Sequence, residues 1–204
     1  MTLRYIQRFR GAARIAAALS SAGLCASCGH SAPTEYLTLR SVPPVADMAP
    51  TVADPVRIVA VRVPPWLDRL EVARPTASAS VVVEEFERWS APLGDLATAA
   101  LTEDLADRLA GVAVLSARAA VPPATRDISV DFSSLSSEGT TLELDGIATV
   151  TDSRTGALVV SLPVRLRAPA ATDARGEATA LERLIGELAD ALAPSLRAAS
   201  AAKL

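Results

Sequence analysis

The sequence predicts an α+β domain, a two-layer sandwich in which one mixed, largely antiparallel sheet carries two helices on one face. Two observations lead there. Between Ile128 and Leu166 apolar and polar residues alternate through three strand-length runs separated by turns. Around them, Leu93–Leu109 and Leu181–Leu192 repeat their apolar residues every three or four positions, the spacing of an amphipathic helix. A sheet with one dry face needs a cover, and two such helices supply it.

The N-terminus comes first in chain order and has its own logic. Arg4, Arg8, Arg10 and Arg14 form a basic start, followed by an apolar run from Ile15 to Leu24. That run is shorter than the roughly twenty residues a membrane-spanning helix requires. A basic stretch, a short apolar stretch and then small residues is the layout of a secretory signal, so residues 1–27 are set apart from the fold.

Cys25 and Cys28 are the two cysteines of the chain, and both stand where the signal ends. A metal site would need more ligands, and His30 is the one histidine available. A disulfide across so short a loop would stabilise nothing distant. The remaining reading is a lipobox, in which small residues precede a cysteine that receives diacylglycerol. Ala26 and Ser27 before Cys28 fit, whereas Leu24 before Cys25 fits poorly, so Cys28 is the expected lipidation site with Cys25 as the alternative. The covalent acyl anchor is the one attached group expected, with no cofactor and no metal. Gly29 after the anchor, rather than Asp, points to the outer membrane by the sorting rule of enteric bacteria.

Residues 28–34 then form the lipidated cysteine and a tether, and residues 35–204 a single domain. Tyr36–Leu39 reads as a first strand. The segment 41–55 contains Pro43, Pro44, Pro50 and Pro55 and reads as a loop. Val59, Val61 and Val63 alternate as a strand, Leu70–Ala73 is a short extended piece, and β-branched Val81–Val83 favour another strand. Ser90 is the expected N-cap of the first helix and Gly111 its stop, with Glu103, Asp104, Asp107 and Arg108 on the wet side. Ser136–Gly139 and Asp152–Gly156 are the turns of the three-stranded meander.

Composition limits the function classes. Half of the residues are hydrophobic but 3% are aromatic, so the core is built from Ala, Val and Leu. A net charge of -3 with scattered cations argues against nucleic acid as a partner. No nucleophile elbow, P-loop or dinucleotide fingerprint is present, and a lone histidine beside the anchor cannot serve a buried triad. Glu84–Glu85 and Glu103–Asp104 are adjacent pairs whose side chains diverge, which suits solvated faces better than acid/base work. The expectation is a protein that is not an enzyme.

Two segments stand out. In Pro64–Val72, Trp66 stands near Asp68 and Arg69; Trp66 could be a lid on the core with Asp68 capping local backbone amides, or part of a contact surface. In Phe86–Leu93, Arg88 and Trp89 lead into the first helix; Trp89 could be a packing staple or an exposed anchor for a partner. Trp66, Asp68, Arg69, Arg88 and Trp89 are therefore the candidate partner contacts.

These segments and their order resemble the PqiC-type ABC-transport auxiliary lipoproteins. The points of likeness are the lipobox, the strand Tyr36-Leu37-Thr38-Leu39, Leu67-Asp68-Arg69 with Val72, Arg88-Trp89-Ser90-Ala91-Pro92-Leu93, and a helix bearing Leu101, Leu105 and Leu109. The chain departs from the family pattern in the proline-rich loop, in Trp66 where Tyr is commoner, and in the irregular lipobox. The resemblance implies a lipid-anchored periplasmic subunit of an intermembrane lipid-transport system. Its partner would be an MCE-domain protein, it would dock on the conduit at the outer-membrane side, and it could assemble as a homo-oligomeric ring. Two other readings are a periplasmic lipid-binding carrier, which requires an apolar cavity, and an assembly lipoprotein of another outer-membrane machine.

Overall fold

The computed structural model describes residues 33–44, 54–76 and 80–201. Cys25, Cys28, the expected signal segment and residues 45–53 of the proline-rich loop lie outside the described residues.

The α+β class holds, with the strands divided between two mixed sheets rather than gathered in one. The larger sheet has the order β5-β2-β6-β7-β8, where β2 is Val56–Arg62, β5 Val114–Leu115, β6 Arg126–Glu138, β7 Thr141–Asp152 and β8 Leu158–Pro169. The predicted meander is its antiparallel half, β6-β7-β8. β2 joins that meander in parallel along β6, and β5 lies parallel on its other side. The smaller sheet has the order β1-β4-β3, with β1 at Glu35–Leu37, β3 at Glu71–Pro75 and β4 at Val81–Trp89. Alternation along a strand reports which face is dry and says nothing about which strand lies alongside, so the division was not readable from the pattern.

Two helices stand among the described residues, α1 at Leu93–Arg108 and α2 at Ala174–Ala201. Every apolar position that set their periodicity is buried, from Leu93, Ala97 and Leu101 on α1 to Leu181, Leu188 and Leu192 on α2. They share one core cluster with Ile58 of β2, Ile128 and Val130 of β6, and Ala148 and Val150 of β7. The helices also touch each other, α1 lying against β2 and α2 against β8.

Several local details differ from the sequence reading. The alternation expected at Val59, Val61 and Val63 is broken by a register shift between Ile58 and Ala60, so the buried side chains of β2 are Val56, Ile58 and Val61. Beyond the shift, the Val61 amide donates to Thr98 Oγ1 of α1 at 2.9 Å. The first hairpin turn moves toward the C-terminus: Ser136, Ser137 and Glu138 remain in the ladder, and Gly139 turns the chain with a φ of 62°. The second turn is where the sequence placed it. Asp152 Oδ1 accepts from the Arg154 and Thr155 amides, and Gly156 adopts a φ of 70°.

The largest departure concerns charge. Asp104 and Arg108, expected on the wet side of α1, are 0% and 1% exposed. The Arg108 guanidinium reaches Asp190 of α2 and donates to the carbonyls of Val42 and Asp104, while Asp104 Oδ1 accepts from the Val42 amide at 2.6 Å. The helix periodicity places these residues on the flank where α2 and the chain after β1 close over α1. An apolar stripe counted on one helix does not reveal how wide its cover is.

Candidate functional site

The two segments singled out in the sequence are brought together by the smaller sheet. Glu71 at the start of β3 lies opposite Arg88 near the end of β4, and the Trp89 amide donates to the Leu70 carbonyl at 2.6 Å. β1 closes the other side, with the Ser90 amide donating to the Leu37 carbonyl at 2.8 Å. Pro64–Leu70, the end of β4 and the start of α1 therefore form one corner of the molecule.

Within it the candidates take different roles. Leu67 is buried, and Trp66 is half-buried against the core. Ser90 is not the cap of α1; Pro92 holds that position without a side-chain bond, because proline can occupy it but offers no acceptor. A cap comes from a distance instead, since Asp68 Oδ1 accepts from the Gly94 amide at 3.3 Å. A β-carbon on Gly94 would stand 2.9 Å from the Val61 carbonyl oxygen and 3.3 Å from Asp68 Oδ1, so glycine is what lets α1 approach this corner. Asp68 thus caps an amide of a distant segment rather than the local amides of its own turn, and its side chain stands at the surface.

Trp89 is 1% exposed and belongs to the core, out of reach of any partner of the folded chain. It is the packing residue of the pair. Arg69 and Leu70 are exposed, with Arg69 Nε donating to Glu71 Oε2 at 3.0 Å. The hydrogen bond from its own backbone, then the Arg69 bond, and the charges of Arg69 and Arg88 hold the Glu71 carboxyl below its ordinary range. Arg88 is half-buried beside it. The surface of this corner is thus Trp66, Arg69, Leu70 and Arg88 around Glu71, a mixed apolar and charged patch.

A second buried charge cluster lies between the smaller sheet and α2. Glu177 is 4% exposed, and its Oε1 has no hydrogen-bond partner among the described residues. Burial pushes its carboxyl up to about 7; the charge of Arg74 opposes that shift and the charge of Glu84 adds to it. Arg74 pairs with Glu84 across β3 and β4 and donates to the Thr172 carbonyl. Asp104 behaves alike, pushed up to about 6 by burial against the pull of its bond to the Val42 amide and of Arg108.

Neither cluster has the ingredients of a catalytic constellation, and among the described residues no group of three His, Cys, Asp or Glu side chains could hold a metal ion. No described helix is long and apolar enough to cross a membrane. The apolar interior between helices and sheet, lined by Leu39, Leu67, Phe132, Leu144, Leu181 and Ile185 among others, leaves a cavity of about 10 Å³.

Comparison with known proteins agrees with this architecture. Residues 37–193, well over half of the chain, match the family model described as the ABC-type transport auxiliary lipoprotein component. No curated protein matches the sequence. Among solved structures, an uncharacterised protein superposes with a TM-score of 0.63 at 16% identity, covering 80% of this chain and 98% of its own. A Xanthomonas campestris protein of family DUF330 superposes with a TM-score of 0.58 at 18% identity, covering 78% of this chain and 91% of its own. At these identities the likeness is one of fold.

Proposed function

Because the chain belongs to the ABC-type transport auxiliary lipoprotein family, we propose that it is a non-catalytic, lipid-anchored docking subunit of an intermembrane lipid transporter. In this reading Cys28 carries the anchor, the domain stands at the periplasmic face of the outer membrane, and its partner is the MCE-domain protein that forms the conduit. The observation that carries the proposal is the family match over residues 37–193. Anchoring makes chemical sense for such a role, since a tether of a few residues raises the effective concentration of a weak docking surface near its target. Trp66, Asp68, Arg69 and Arg88 are the proposed contacts, with Asp68 acting through the α1 terminus that it caps.

The packed interior weighs against the carrier alternative. Ligand pockets run to roughly 300 Å³ and more, whereas the apolar cavity of about 10 Å³ has room for about one water molecule.

Crosslinking in intact cells followed by mass spectrometry of the purified, tagged protein tests the proposal. Recovery of an MCE-domain protein, with Cys28→Ala releasing the chain from the membrane and Arg69→Glu reducing recovery, is the expected result. Recovery of phospholipid bound to the domain, with no transport protein, would sink it.

A further inference from the structure

We infer that the free edge of β4 over Val81–Phe86 is a strand-pairing site for an extended segment of a partner protein that carries alternating apolar residues flanked by lysine or arginine. The inference rests on the docking role proposed above and names how a partner is held.

β4 is the middle strand of its sheet, yet β1 covers little of it. The pairing of β1 stops at Glu35 opposite Glu87, so Val81–Phe86 has a neighbour, β3, on one side alone among the described residues. The direction of the peptide groups follows from the hairpin. Thr76 donates to the Ser80 carbonyl at 2.9 Å, which makes that pair and the next one along, Arg74 and Val82, the pairs that face each other with their peptide groups. Val81 and Val83 therefore turn their N–H and C=O groups away from β3, toward the uncovered side. Pro75 opposite Val81 agrees, because the amide that proline lacks at this position would face away from β4.

The side chains of this stretch are also out of the core. Val81, Val82, Val83 and Phe86 are 42%, 45%, 44% and 38% exposed, on both faces of the strand. Other edges in the molecule carry the usual protection against pairing. β8, the outer strand of the larger sheet, bears Pro163, Arg165 and Arg167, and β5 at the opposite edge is two residues long. Val81–Val83 has neither proline nor charge, and the charges of this edge, Glu84 and Glu85, come after the valines. An unprotected, β-branched edge is the surface that strand addition uses, with main-chain bonds supplying affinity and side-chain pockets supplying selection.

Charge selects the occupant. Glu84, Glu85 and Glu87 follow the valines, and Arg74 is already engaged with Glu84. A second copy paired antiparallel through this edge would set Ser80–Val83 opposite Glu84, Glu85 and Glu87 and so offer these carboxylates no cation. The chain's own segment upstream of Glu35 would have to follow β1 past the irregularity between Glu71 and Ala73, where β4 changes which peptide groups it turns outward. A basic, apolar-alternating strand from another protein meets neither obstacle.

Hydrogen exchange of the full-length protein in detergent tests this, with the capped peptide Lys-Val-Thr-Val-Lys-Val as probe. Exchange of the Val81 and Val83 amides should slow at least tenfold with peptide, and less so at high salt. The same peptide with N-methylated valines should have no effect, and Val83→Lys should abolish the protection while leaving exchange in β6 and β7 unchanged. The proposal is overturned if millimolar peptide leaves these amides unprotected. It is also overturned if they are protected without peptide, in a way that depends on protein concentration (a second copy) or on residues 29–34 (the chain's own segment). In cells, Val83→Lys should reduce recovery of the transport protein; undiminished recovery overturns the edge as the docking surface. Failure of the wild-type chain to recover any transport protein counts against the docking role alone, since the peptide measurement does not depend on it.

Discussion

Arg108 of α1 grips Asp190 of α2 in a fork: Nε donates to Oδ1 at 2.6 Å and Nη2 to Oδ2 at 3.2 Å, with the guanidinium side chain 1% exposed. The same group holds the Val42 carbonyl at 2.9 Å, so one arginine joins both helices to the chain that follows β1. Bidentate pairing suits arginine because its planar donors match the carboxylate. Removing one partner of a buried pair leaves a stranded charge and costs about 3–5 kcal/mol. Arg108→Met should lower the unfolding free energy measured in urea by an amount in that range, because Asp104 and Asp190 both lose their cation. Asp190→Asn, at a more exposed acid, should cost less.

Glu177 and Asp104 predict an unusual dependence on pH. Both carboxyls titrate higher in the fold than in the unfolded chain, Glu177 at about 7 and Asp104 at about 6. Between the unfolded and folded values the folded state binds more protons, so stability falls as pH rises through that window. The contribution is complete below about pH 4, where the carboxyls are neutral in both states. Unfolding free energies measured in urea from pH 5 to 7.5 should decline, and Glu177→Gln should remove most of that fall, on the order of 2–3 kcal/mol. Asp145 and Asp152 are held low by Arg165 and by the Thr155 amide respectively, and lose their contribution at still lower pH, outside this window. A flat profile in the variant and the wild type alike would contradict the argument.

The two tryptophans separate in fluorescence. Trp89 is sealed in the core and Trp66 is half-buried at its margin. Acrylamide should quench the Trp89→Phe protein, which keeps Trp66, several times more strongly than the Trp66→Phe protein. In denaturation, Trp89→Ala should cost about 3–5 kcal/mol as a large buried side chain, and Trp66→Ala clearly less.

Asp68 is tested by its capping bond. Asp68→Ala should lower stability by about 0.5–1 kcal/mol, and Asp68→Asn, which keeps an acceptor, should recover most of it. A role confined to partner contact would leave the denaturation midpoint of both variants unchanged.

Gly146 on β7 lies where β6 shifts register between Phe132 and Ser134. A β-carbon there would meet the Asp131 carbonyl oxygen at 2.5 Å and the Phe132 α-carbon at 2.9 Å, both of them backbone. Gly146→Ala should therefore cost about 1–3 kcal/mol, since one of the central strands must move. Gly139→Ala, with nothing within 4 Å of the added carbon, should show the smaller cost of a positive φ alone.

The sequence by itself determined the period of β7 and of the two helices, and hence which of their apolar residues became core. Leu142, Leu144, Ala148 and Val150 on β7, and Leu181, Leu184, Ile185, Leu188 and Leu192 on α2, are buried as their spacing required. The likeness of its motifs to the auxiliary lipoproteins likewise stood in the order of short segments and needed no coordinates. Tertiary structure decided what local pattern cannot carry. Asp104 and Arg108 look like solvated residues until α2 and Val42 close over them. Glu177 sits in an ordinary first turn until Arg74 and Glu84 arrive from another sheet. Trp66 and Trp89 read alike in the chain, yet one lies at the margin of the core and the other inside it. Val81–Val83 read as a strand with no sign of its neighbours, and they are half exposed because β1 ends before it reaches them. The physical reason is common to all four. A residue's preference for a helix or strand acts over a few neighbours, whereas burial of a charge or exposure of an edge depends on which distant segment lies alongside.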